Sequence, residues 1–161
     1  MGRWPHVLIQ FEDFNTASAE PILRKYRYKH LCFNDDIQGT GTVAVAGLLC
    51  CLKAMKLPYA AICNQTIVCL GAGSAGLGVL NSIVDAMVEE GFSEEEAKQK
   101  IFVLDKDGLL GVERRTLNHL QRSYARCDLP DGLSLHETIQ FVLNFPFFLP
   151  KFNFLIYYCF N

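Results

Sequence analysis

The stretch that most restricts the fold is "TIVCLGAGSAGLG", Thr66 to Gly78. Thr66 to Leu70 form an apolar strand that runs directly into Gly71-Ala72-Gly73-Ser74-Ala75-Gly76. Beyond it Leu77, Leu80, Ile83, Val84, Met87 and Val88 recur at helical spacing, and Gly91 ends the helix. A glycine-rich turn between a strand and an amphipathic helix suits a parallel sheet with crossover helices. Gly71 permits the tight turn, Gly73 lets a pyrophosphate approach the backbone, and Gly76 lets helix and strand pack closely. Ser74 and Ala75 then stand in the first turn of a helix whose open N–H groups favour phosphate. A turn used for packing alone is the competing reading. A late acidic residue argues against it. Asp105 closes the next strand, "IFVLD", further on than the usual spacing of about twenty residues. The intervening "GFSEEEAKQK" accounts for the delay. Asp105 suits the hydroxyls of an adenosine ribose, while Lys106 softens its repulsion of a 2'-phosphate, so NAD and NADP both stay open.

The remaining pattern extends this unit. Val7 to Phe11 and Leu31 to Phe33 read as strands. Thr16 or Ser18 can cap a helix running to about Lys29, and Ile37 to about Lys56 reads as a second helix. "SEEE", Ser93 to Glu96, is a capping box. Arg114 to Tyr124 and Ser134 to Val142 are expected to be helical. Strands alternating with helices predict an α/β protein: a Rossmann-like three-layer αβα sandwich with a mainly parallel, incomplete sheet. The polar link at Asn64 and Gln65 suggests a division into 1–63 and 64–142. Residues 143–161 differ abruptly in composition. They are rich in phenylalanine, and Pro146, Pro150 and Lys151 interrupt any membrane span. A buried strand pair and a non-native apolar tail are the other readings. The expectation is that residues after about Val142 lack a stable place in the fold.

Two acidic pairs sit at predicted strand ends: Glu12-Asp13 in "QFEDFN" and Asp35-Asp36 in "FNDDIQGT". Helix capping would explain one aspartate. It does not explain two pairs. Adjacent parallel strands deliver their carboxyl ends to the same sheet edge, where ligands bind in this architecture. Carboxylates gathered there repel one another unless a cation lies among them. An all-oxygen set suits Mg2+ or Mn2+ rather than zinc.

Composition removes several classes. The net charge of -2 leaves no basic footprint for nucleic acid or an anionic membrane. Seven cysteines lack metal-finger spacing, and the odd number suits a reducing intracellular compartment, whether cytoplasm, mitochondrion or plastid. "MGRWPHVLIQ" has neither the apolar core nor the cleavage site of a secretory signal.

"WPHVLIQFEDF", "LRKYRYKHLCFNDDIQGTGTVAVAGLL" and "IVCLGAGSAGLGV" together resemble malic enzyme, the oxidative decarboxylase of malate. The resemblance runs from about Arg3 to about Val142. It implies that Glu12, Asp13 and Asp36 ligate the divalent metal, and that Asp35 supports the catalytic base. It implies that Gly71, Gly73, Ser74, Ala75, Gly76 and Asp105 receive the cofactor. "FNTASAEPILRKY" departs from the family's asparagine-rich wording without touching a ligand. The implied reaction converts malate to pyruvate and CO2 with NAD or NADP and Mg2+ or Mn2+, in a homo-oligomeric parent enzyme. Residues 1–63 would end the catalytic and metal region, and 64–142 would begin the NAD(P)-binding domain. The family's catalytic tyrosine and lysine and its malate-binding arginine lie upstream of the first metal motif. The chain is therefore expected to be a fragment, inactive by itself. Two other readings compete: a non-catalytic nucleotide-binding module retaining the metal cradle, and a metal-independent amino-acid-type dehydrogenase domain. The dehydrogenase domain shares the glycine loop but has no need for four clustered carboxylates.

Overall fold

The computed structural model of the protein describes residues 4, 6–144 and 154–157. Two parallel units follow one another along the chain. The first pairs β1, Ile9–Phe11, with β2, Cys32–Asn34, in parallel. Helix α1, Thr16–Tyr26, connects them. Its cap is Asn15, whose side chain accepts the Ser18 N–H, rather than either hydroxyl residue after it. A π-helical turn, Asp35–Gly39, leads from β2 into α2, Thr40–Ala54.

The second unit is a four-stranded sheet in the order β5-β4-β3-β6. Its centre is β3, Ile67–Leu70, and β4, Ile101–Asp105, in parallel. Helix α3, Ser74–Glu89, crosses over between them, followed by α4, Glu94–Gln99. Side chains alternate along each strand. Ile67, Cys69, Ile101 and Val103 face a core shared with Leu52 of α2 and Leu77, Leu80, Ile83 and Met87 of α3. Val68, Phe102 and Leu104 face the other way, toward Val142 and Phe141 of α6, Leu135–Asn144. Helices therefore cover both faces, and the expected three-layer α/β class is borne out. The Ser93–Glu96 capping box opens α4 as expected.

Two expectations need correction, and one strand was not foreseen. Arg114 to Tyr124 is not one helix: only α5, His119–Arg122, forms. In the irregular backbone before α5 the Arg114 guanidinium reaches two carboxylates, those of Asp105 and Asp131. A short antiparallel strand, β5, Gly108–Leu109, folds back on β4. Finally, the tail does contribute to the sheet. Strand β6, Phe154–Tyr157, pairs in parallel with β3, Ile67 opposite Phe154. The open edge of β3 presents unpaired N–H and C=O groups, and an apolar segment can satisfy them. The other residues of the tail after Asn144 lie outside the described residues.

Candidate nucleotide and metal site

The glycine loop is built by three different constraints. Gly71 takes φ 126°, the left-handed region, and its N–H donates to the Leu104 carbonyl at 2.8 Å. At Gly76 a Cβ would run into the Gly71 carbonyl oxygen and lie 3.7 Å from Cys69 Sγ. Only glycine fits where α3 crosses β3. Gly73 has ordinary backbone angles and nothing within 4 Å of the place a Cβ would occupy. It faces open space. Gly73 caps α3 without a side chain, so no side-chain oxygen competes for the first N–H groups. Ser74 and Ala75 form the start of that helix. Burial pushes the Cys69 thiol up to about 12. It stays protonated and lies 3.6 Å from the Gly71 carbonyl as a donor beneath the loop. Gln121 of α5 donates to the Ala72 carbonyl at 3.1 Å and pins the loop from above. Sequence reasoning missed Gln121. Its signal was the Asn118-x-x-Gln121 capping box, hidden by assigning the region to a longer helix.

Asp105 stands on the same edge as Gly71, because β3 and β4 pair Leu70 with Leu104. Its Oδ1 accepts the Asp107 N–H at 2.8 Å and Arg114 Nη1 at 2.6 Å. The same guanidinium donates through Nε to Asp131 at 2.9 Å, and through Nη2 to the Leu109 carbonyl at 2.9 Å. Asp131 also accepts the Gly111 N–H at 2.7 Å. Partial desolvation opposes charge on Asp131, yet the Arg114 and Gly111 hydrogen bonds hold it below the usual carboxylate range. Arg114 feels desolvation too, and its two carboxylates outweigh it and raise its pKa. Arg114 had no signal in the sequence, since its partners lie 9 and 17 residues away. Lys106 is exposed and pairs with the neighbouring Asp107 at 3.3 Å.

The acidic pairs meet at the end of the other parallel pair. Phe11 lies opposite Asn34, so Glu12-Asp13 and Asp35-Asp36 leave the strands side by side. Asp13 takes φ 58°, and this turn aims its N–H at Asp36 Oδ2, 3.0 Å away. Glu12 accepts from Gln10 Nε2 at 2.7 Å. Asn34 is fully buried; its Oδ1 accepts the Ile37 N–H at 2.9 Å, while its Nδ2 has no hydrogen-bond partner. The structure thus brings Asp13 and Asp36 together. Among the described residues it gathers no group of three acidic, His or Cys side chains of the kind that would enclose a metal ion. The donors nevertheless suit a hard cation in chemistry: three carboxylates just beyond the ends of two paired strands, with no sulfur or imidazole among them.

The two halves share a joint. At Gly78, one turn into α3, a Cβ would lie 2.7 Å from the Ile37 carbonyl oxygen and 2.9 Å from Ile37 Cα. At Gly41 a Cβ would press on Ser82, 3.0 Å from its Cβ. The turn carrying Asp35 and Asp36 is therefore packed backbone to backbone on the helix that starts at the glycine loop. A cleft of about 550 Å³ lies at the opposite end of β4, lined by Lys98, Phe102, Tyr124, Arg126 and Phe141. It has no part in this edge.

Residues 37–142 match the family described as malic enzyme, NAD binding domain. The chain belongs to the malic enzyme family. The NAD-dependent malic enzyme of Shewanella sediminis (strain HAW-EB3) is 45% identical over 131 residues, which are 81% of this chain and 23% of that protein. That of Pseudomonas syringae pv. syringae (strain B728a) is 48% identical over 124 residues, 77% of this chain and 22% of that protein. Among solved structures, the Entamoeba histolytica malic enzyme superposes with a TM-score of 0.62 at 28% identity, covering 79% of this chain and 25% of that one. This malic enzyme chain spans about a quarter of the length of the relatives it matches.

Proposed function

We propose that this chain is the part of an NAD-dependent malic enzyme that receives the dinucleotide and one divalent cation for the conversion of malate to pyruvate and CO2. The observation that carries the reading is the joint at Gly78 and Ile37, which ties the acidic edge to the cofactor helix. A reaction that needs a cation and a nicotinamide at one substrate requires such a coupling. In this reading residues 1–63 hold the cation, 64–142 form a partial nucleotide domain, and 143–161 add a sheet edge through β6.

When bound, NAD supplies the hydride acceptor and Mg2+ or Mn2+ supplies Lewis acidity at the C2 oxygen of malate. Glu12, Asp13 and Asp36 hold the cation. Asp35 acts through the catalytic base, which it supports, rather than on the cation. The Gly73 backbone admits the pyrophosphate, and the first N–H groups of α3, at Ser74, Ala75 and Gly76, donate to it. Asp105 accepts from the ribose hydroxyls, with its orientation held by Arg114. A carboxylate there disfavours a 2'-phosphate, and the relatives named as NAD-dependent support NAD over NADP.

NADH fluorescence titration of the wild-type chain and Gly73→Val tests the cofactor half. Binding by the wild type and its loss in the variant, with unchanged thermal stability, is the expected outcome, since the new side chain enters only open space. Equal binding by both overturns it. Mn2+ titration of the wild-type chain tests the cation half: uptake is expected, and no uptake overturns it.

A further inference from the structure

Two adjacent aspartates leave β2, and the structure treats them differently. Asp36 turns toward the first acidic pair, where its Oδ2 receives the Asp13 N–H at 3.0 Å. Asp35 folds the other way, along the π-helical turn Asp35–Gly39. Its carboxylate lies over Gly39: a Cβ at that position would run into Asp35 Oδ1 and lie 3.0 Å from its Cγ. Gly39 itself has helical angles, φ -62° and ψ -52°, which every residue adopts readily. The glycine is therefore not needed by the backbone. The space it leaves is taken by the Asp35 carboxylate. The turn closes through the Thr40 N–H, which donates to the Asp35 carbonyl. A π turn is rare and tends to mark functional positions.

We infer that Gly39 is a positioning residue: its missing side chain is the seat of the Asp35 carboxylate, and this seat divides the Asp35-Asp36 pair into two roles. Asp36 is left at the edge with Glu12 and Asp13. Asp35 is withdrawn from it. Without the seat, two neighbouring carboxylates compete for the same edge and repel each other. The inference rests on the metal-edge reading above only for the second arm of its test.

The first arm contains no metal. Wild type, Gly39→Ala, Asp35→Ala and the double variant are compared by thermal unfolding. Ala at position 39 displaces Asp35 in the wild-type background and lowers Tm by about 2–4 °C. In the Asp35→Ala background nothing is displaced, and alanine's better helix propensity raises Tm instead. This reversal of sign is the expected result. Failure of Gly39→Ala to fold while the double variant folds supports the seat equally. A Tm change of the same sign in both backgrounds, or failure of both variants to fold, overturns it. The second arm is Mn2+ titration of the same four proteins. Gly39→Ala changes the Mn2+ Kd about threefold or more when Asp35 is present and leaves it unchanged in Asp35→Ala. The same factor in both backgrounds overturns the positioning role. A wild-type chain that takes up no Mn2+ overturns the metal reading, and the thermal cycle still decides the seat.

Discussion

Gly73 and Gly76 stand three residues apart and respond oppositely to a side chain. Open space at Gly73 leaves its substitution without a packing cost, so under the proposed reading the effect falls on dinucleotide binding alone. At Gly76 the obstacle is the Gly71 backbone, which cannot swing away. Gly76→Ala is expected to lower stability by about 1–3 kcal/mol, as overpacking does, and urea unfolding checks this. Arg114 is the other decisive residue. It joins Asp105, Asp131 and two carbonyls while its own side chain is nearly buried. Arg114→Met removes every one of those bonds and leaves two partly exposed carboxylates facing each other. A loss of about 2 kcal/mol is expected, below the range for fully buried pairs because both aspartates keep some water. The same pair sets a pH dependence. The folded pKa of Asp131 is depressed from its ordinary 3.8, so its stabilisation is present above that value and is lost as pH falls through the lower folded value. Acid titration of stability should show this loss in the wild type and a smaller one in Arg114→Met. Equal acid sensitivity in both would reject the network as its source.

At the scale of elements, α2 carries two glycines with opposite meanings, Gly41 and Gly47, and Gly78 of α3 resembles the first. The segment Asp35–Ala54 is long and apolar enough, by length and composition, to cross a membrane. It packs instead on α3, through Gly41, Leu48 and Leu52. Gly47 has nothing within 4 Å of a Cβ position, whereas Gly78 meets the Ile37 backbone. Gly47→Ala should therefore stabilise the chain by about 1 kcal/mol through helix propensity alone. Gly78→Ala gains the same propensity and should still destabilise, because it forces the π turn off α3. Thermal unfolding of the two variants measures the difference. A rise in Tm for both would mean that the joint is soft, and would weaken the coupling between the acidic edge and the cofactor helix.

In the whole molecule, apolar exposure is uneven. Trp4 is 65% exposed, Tyr28 86% and Val43 73%, with Leu8 and Leu31 also open around β1 and β2. Those two strands pair only with each other among the described residues. By contrast, β3 and β4 lie inside a four-stranded sheet with core on both faces. Local stability follows buried apolar contact. Hydrogen exchange should accordingly find the amides of Ile9–Phe11 protected far less than those of Ile67–Leu70. Equal protection of the two strand pairs would show that the chain unfolds as one unit. Exposed apolar surface of this kind also favours association with further protein.

Local pattern was enough to determine much of this protein. The order of strands and helices as far as β4, the glycine loop after β3, the Ser93–Glu96 cap and the delivery of both acidic pairs to strand ends all follow from neighbours within a few residues. The roles of Gly71 and Gly76 were legible because a strand–turn–helix leaves only one place for each. Contacts between distant residues were decided by the tertiary structure. Arg114 leaves the expected helix because two carboxylates outbid local propensity, and their positions depend on β5 and the 131 loop. Asp35 and Asp36 are neighbours in sequence, and only the folded π turn lays the Asp35 carboxylate over Gly39. Strand β6 joins β3 across more than eighty residues, because an open sheet edge accepts any apolar strand that can satisfy its hydrogen bonds. Hydrogen-bond and steric demands between distant residues have no local period, and periodicity is the signal a sequence carries most plainly.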